Sequence, residues 1–186
     1  IFIIYIFIFL LSTVGHGIIF CYIFNNEYLE KNIGYLGIIG FFSLSLYSIL
    51  SSYFLAHSLT HNFILHLIGL AGCFYFYSKN RLKLNESKYF LIIFLFLIIG
   101  SYVFKNHDDF PYYHLTYSLN LSENSFIIGT GIFSHGFRTF SSLFYYHSLL
   151  YMPFIKFYLF HIGPFFILLF FNFIIIKKIY EDFSIK

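Results

Sequence analysis

The sequence predicts an all-α integral membrane protein with about five or six transmembrane helices and one outward loop containing short amphipathic helices. Three observations lead there. Of 186 residues, 59% are hydrophobic and 10% charged, and mean hydropathy is +0.78. A globular domain carries roughly 25% charged residues and uses them to cover its core. Second, the apolar residues gather in runs that, as helices, cross a hydrocarbon core of about 30 Å. Third, a single long polar stretch, 106–139, interrupts them. Disorder is excluded, because its signature is low hydrophobicity. A net charge of +3, scattered along the chain, excludes nucleic acid as a partner.

The first apolar run covers residues 1–24 and reads as a spanning helix. Residues 1–11 have no basic region before them and no small-residue cleavage site after them, so they do not read as a signal peptide. The second run, 33–56, leads into a polar turn with His57, His61 and Asn62. The third is 63–78 and the fourth 89–104. Both are short, but tyrosine and lysine at their edges reach the interface. Residues 105–139 form the loop. Apolar character resumes with a short helix over 140–154, breaks near Lys156 and His161–Pro164, and ends in a spanning helix over 163–176. The organisation is thus a four-helix membrane segment 1–104, an extracytoplasmic loop 105–139, and a segment 140–186 holding an interfacial or transmembrane helix and a final span. No repeat of fixed period occurs. The chain opens on Ile1 within an apolar run and stops soon after another, so a piece of a longer protein is expected.

Lysine and arginine set the orientation. Lys79, Arg81, Lys83 and Lys88 form the densest basic cluster, which places 79–88 in the cytoplasm. The turn 57–62 has none and faces outward, and alternation puts 106–139 on the same outer side. Lys177 and Lys178 then leave two alternatives. If 140–154 crosses, they lie outside, against the rule; if it stays in the interface, they lie inside.

The 30 Phe and 18 Tyr, with no Trp, read as AT-rich codon usage acting on lipid-facing positions. Cys21 and Cys73 sit in apolar runs without metal-type spacing and read as buried free thiols.

Two segments carry candidate chemistry. In 107–115, Asp108 and Asp109 follow a span directly and precede Pro111, which suits a helix first turn. Either aspartate serves as a helix cap on one reading. On the other, they stand at the mouth of the bundle, held by a short helix whose Tyr112, Leu115 and Leu119 form an apolar stripe lying flat on the membrane surface. In 129–144, Gly129, Gly131 and Gly136 allow tight turns and close approach of backbone to a ligand. Arg138 offers a planar fork suited to phosphate, or alternatively a snorkelling cation. His57 and His61, at i and i+4, lack a third ligand nearby and read as interfacial side chains rather than a metal site.

The stretch Asp109-Phe-Pro-Tyr-Tyr-His-Leu115, with Gly129-x-Gly131, His135-Gly136, Arg138 and Ser141-Ser142-Leu-Phe144, resembles the signature of a family of poorly characterised bacterial multispanning membrane proteins. That family in turn resembles the GT-C glycosyltransferases, whose acidic motif sits in the first large outward loop. The likeness covers about residues 105–176. It departs in one extra residue between His-Gly and Arg, and in Phe140 where the family has Asn. It implies a GT-C-like fold in the bacterial inner (plasma) membrane, multi-pass. It also implies transfer of a sugar from a polyprenyl-phosphate-linked donor to an extracytoplasmic glycan acceptor in cell-surface glycan assembly. Such chemistry needs a carboxylate base and a cation on the leaving phosphate. Asp109 with Asp108 supplies the first, Arg138 with His114 or His135 the second. Tyr113, Gly129 and Gly131 complete the substrate-binding set. Divalent metal on the two aspartates is compatible with this chemistry and not required by it. The alternative is a non-enzymatic polytopic protein, such as a lipid-linked glycan flippase, an export component or a structural subunit. Transporters place ionisable groups at mid-membrane; here they gather in the loop, which favours the enzyme.

Overall fold

The computed structural model describes residues 1–25, 32–78, 84–102, 109–133 and 135–184; Lys79, Arg81, Lys83 and Asp108 lie outside them. The helices in chain order are α1 (Phe2–Ile23), α2 (Ile33–Ser52), α3 (Leu59–Ser78), α4 (Leu84–Tyr102), α5 (Leu115–Glu123), α6 (Ser142–Ser148) and α7 (Gly163–Ser184). A π-helical turn, Phe110–His114, runs into α5, and two 3-10 turns, Thr130–Ile132 and His135–Arg138, lie between α5 and α6. No strand occurs among the described residues. Four helices, Phe2–Ile23, Ile33–Ser52, Leu59–Ser78 and Gly163–Glu181, are long and apolar enough to cross a membrane, and α4 has a shorter apolar core, Lys88–Gly100.

Local chemistry fixes the ends. The chain leaves α1 through Asn25 at φ 51, a left-handed conformation that asparagine tolerates. Asn32 opens α2 by accepting the Gly34 N–H at 2.8 Å, the ordinary work of an N-cap.

Small residues bring the first three helices together. α1 and α2 run antiparallel, with Gly17 against the Leu36 carbonyl and Gly40 against that of Thr13. α1 and α3 run parallel, with Gly15 on the Gly69 carbonyl. A methyl group at any of these positions would occupy the space of a backbone oxygen. Close backbone approach of this kind maximises van der Waals contact, the attraction that pairs helices where the surroundings are apolar. On the other side of α2, the Phe170 ring of α7 lies over Gly37. α4 joins α7 through Phe94–Phe165 and Phe90–Phe173, with ring centroids 5.8 and 5.3 Å apart.

These pairings define two ends. One, the loop end, holds the start of α1, the α2–α3 turn, α5, α6 and the start of α7. The other holds the start of α4 with Lys88 and the last turns of α7 with Lys177 and Lys178. The segment 140–162 therefore does not cross the bundle, and Lys177 and Lys178 lie at the end opposite the loop. Only Ser142–Ser148 is helical within it. After that turn the chain dips inward and returns. The Leu149 carbonyl accepts from His66 Nε2 at 2.9 Å, about 10 Å below the start of α3 at 1.5 Å per residue. The Pro153 carbonyl accepts from Tyr5 at 2.7 Å.

The expected flat amphipathic helix is corrected. The π turn inserts one residue, the Leu115 N–H reaching the Phe110 carbonyl, and so takes Tyr112 out of register with Leu115 and Leu119. Tyr112 is 75% exposed. The face α5 buries is Tyr117, Ser118, Leu121 and Ser122, and it packs against α6.

Candidate functional site

The two motif segments meet at the loop end. Asp109 stands at the start of the π turn with φ −71 and ψ −18 and makes no side-chain capping bond. An N-cap normally adopts extended backbone and accepts an N–H two or three residues on; Asp109 does neither. Tyr113 donates its hydroxyl to Asp109 Oδ2 at 3.4 Å. The phenol's pKa is raised, by desolvation first and by the Asp109 carboxylate next, which keeps it protonated as a donor. The ring of His114 lies edge-on to Tyr113 at 4.4 Å and packs on Phe144 of α6 at 4.8 Å. Pro111, which has no N–H to lose, occupies the first turn as its fixed φ allows.

The second segment folds on this one. Gly129 has φ +90, a conformation open to glycine, and starts the turn Thr130–Ile132. Arg138 Nε donates to the Gly131 carbonyl at 2.9 Å. A side chain at Gly131 would come within 3.0 Å of Arg138 Cγ. Glycine at 131 thus lets the arginine stem lie along the turn. Gly136 seats directly on the Tyr113 ring, and a Cβ there would lie 2.7 Å from Cδ1. His135 and Arg138 are exposed. Of the predicted residues, Asp109, Tyr113 and His114 form one cluster, Gly129, Gly131 and Arg138 a second, and Gly136 is the hinge between them. The sequence marks Gly136 within a motif, but its contact with Tyr113 is a product of folding. Among the described residues no group of three His, Cys, Asp or Glu is placed to hold a metal ion.

A separate polar cluster lies buried beneath. His57 is fully buried, with Nδ1 2.6 Å from Ser148 Oγ and Nε2 2.9 Å from Ser51 Oγ. Ser148 gives its own proton to the Tyr145 carbonyl at 2.6 Å, so it accepts from His57 Nδ1–H, and His57 Nε2 accepts from Ser51. Burial, and then His61, push His57 down to about 3. The amide nitrogen of Asn62 lies 2.9, 2.8 and 2.9 Å from the carbonyls of His57, Ser148 and Tyr151. These contacts pair the carbonyls of His57 and Tyr151 and add a donor to that of Ser148, which also accepts the Tyr151 N–H at 3.3 Å; buried backbone groups need such partners. They correct the interfacial reading of His57, which lies before α3 and is covered by residues some ninety positions later. His61 keeps a partly exposed place, bonded to Tyr47 at 2.8 Å. His147 is also buried, its Nε2 without a hydrogen-bond partner among the described residues.

An apolar cavity of about 300 Å³ lies between α2 and α7, lined by Ile38, Phe41, Phe42, Leu46 and Phe171 and by Ser142 at the start of α6.

No known protein family, curated protein or solved structure matches this chain.

Proposed function

We propose that this chain is a multi-pass membrane glycosyltransferase of GT-C-like type. In this reading it moves a sugar from a polyprenyl-phosphate donor to an acceptor on the outer face of a bacterial plasma membrane. The observation that carries the reading is Asp109, a carboxylate at the mouth of the bundle that does not cap its helix and instead lies beside a phenol. Asp109 takes the acceptor hydroxyl proton, Tyr113 holds the carboxylate in place, and Arg138 meets the phosphate as it leaves, with His114 or His135 beside it. Gly136 couples the two halves by seating the arginine loop on Tyr113. The cavity between α2 and α7 takes part of the prenyl chain. Gathering of Lys177, Lys178 and Lys88 at the opposite end of the bundle supports an outward loop under the positive-inside rule.

The test is glycan assembly in cells at matched membrane levels of the full chain. Asp109→Asn keeps size and removes the proton acceptor, so transfer should fall by about two to four orders of magnitude. A cap would tolerate the change. Normal assembly in both Asp109→Asn and Asp108→Asn overturns the catalytic reading; loss in Asp108→Asn alone moves the base to that residue. Arg138→Lys keeps charge but loses the planar fork and should cost about tenfold, the scale of a charged hydrogen bond. Impermeant labelling of a cysteine at Ser125, on a background lacking Cys21 and Cys73, should occur in intact cells. Labelling only after permeabilisation would reverse the orientation.

A further inference from the structure

We propose that the turn 127–133 is a membrane-dipping anchor that holds the Gly131–Arg138 limb at the surface of the bilayer. The inference rests on the bundle being embedded in lipid and is independent of the transferase chemistry. Ile128, Ile132 and Phe133 are 90, 83 and 86% exposed, and Ile127 46%. Four large apolar side chains within seven residues are far more than scattered surface hydrophobics, and such a patch marks an interaction surface.

Lipid is the occupant because this patch continues a lipid-facing one. Phe42, Leu46 and Leu50 are exposed at i, i+4 and i+8 along one face of α2, and Tyr53, Phe54 and Leu55 extend the exposure past its end. The Phe126 N–H then donates to the Ser52 carbonyl at 2.7 Å, and its ring packs on Tyr53 at 5.1 Å. Those two contacts fix the base of the turn at the level where the α2 span stops, which is the boundary of hydrocarbon and head groups. Charge agrees. No carboxylate occurs between Glu123 and Glu181, whereas His135, Arg138 and Lys156 lie in that interval. An apolar tip followed closely by Arg138, with Glu123 as the nearest charge before it, fits the head-group boundary of a membrane. Arg138, exposed and tied by Nε to the Gly131 carbonyl, then lies at phosphate depth.

The chain contains no tryptophan, so a single introduced one reports its own surroundings. The full chain carrying Phe133→Trp, and separately Ile128→Trp, is reconstituted in phosphatidylglycerol–phosphatidylethanolamine vesicles. Bromines are placed near the top of the acyl chains in one set and near their ends in another. Both variants should show blue-shifted emission and lose about half of it to the shallow bromines, matching insertion about 5–10 Å below the head groups. Phe42→Trp, at the middle of α2, should respond instead to the deep bromines and verifies that the bundle has inserted. Quenching at 128 and 133 by aqueous iodide would overturn the anchor by placing the turn in water. Quenching by neither agent would also overturn it, the turn then being covered by protein. Asp109→Asn in the same background should leave the quenching unchanged, so failure of the catalytic reading and failure of the anchor give different results.

Discussion

Two histidine-bearing groups of polar residues lie within the same end of the bundle and are built in opposite ways. His57, Asn62, Ser51 and Ser148 are buried, and their polar atoms face one another, backbone carbonyls or, for Asn62 Oδ1, the His61 ring at 2.9 Å. Asp109, Tyr113, His114 and Arg138 lie at the surface, with a carboxylate that declines its local capping role and a guanidinium on an exposed turn. In an apolar chain every polar residue invites a functional reading. The contrast teaches that exposure combined with the hydrogen-bond accounting of each atom separates a buried structural network from a candidate site; residue type does not.

The sharpest way to break this comparison is Asn62→Leu. It removes one donor group from three carbonyls and should destabilise the bundle by about 3 kcal/mol, the scale of buried acceptors left unpaired. Loss should appear in the unfolding midpoint of detergent-solubilised protein. If stability is retained, the buried cluster is not a structural network. Gly136→Ala works in the reverse sense. Its methyl collides with Cβ and Cγ at the root of the Tyr113 side chain, so one of the two surface turns must shift; the unfolding midpoint should fall less than in Asn62→Leu, while transfer falls about 10- to 100-fold, as with misplaced catalytic groups. Equal activity would uncouple the two motif segments.

A smaller effect distinguishes the clusters by pH. His57 is held down to about 3 in the fold against an ordinary value of 6.5. Above pH 6.5 neither folded nor unfolded chain protonates it, and its contribution is fully present. As pH falls from 6.5 toward 3, only the unfolded chain takes up the proton, and stability is lost. His57→Gln should flatten that part of the slope, measured as the unfolding midpoint across this range. An unchanged slope would mean that His57 meets water.

Much of this was legible along the chain. The four apolar runs became α1 to α4 with shifted ends. α3 starts at Leu59 rather than 63 because polar Asn62 turns inward to the return segment, where a hydropathy run had excluded it. α4 starts five residues early, at Leu84, and α7 continues past its apolar run to Ser184, where Lys177 reaches Glu181 at 3.9 Å as an i, i+4 pair. The motif residues were legible too, yet the stripe through Tyr112 failed on a single π-turn residue. Periodicity assumes 3.6 residues per turn, and one inserted residue rotates everything before it by about 100°.

The sequence by itself determined that this chain builds helices of membrane-crossing length, and that a long polar stretch follows the fourth. Run length and composition are local quantities, and the cost of unpaired backbone in an apolar setting leaves helices as the answer. Only the tertiary structure decided the rest. It set which end the Lys177–Lys178 tail occupies, that 142–162 dips and returns, that Asn62 meets Tyr151, and that Gly136 seats on Tyr113. Those outcomes depend on residues up to 148 positions apart filling one another's space and hydrogen bonds, and no local pattern records such a partner.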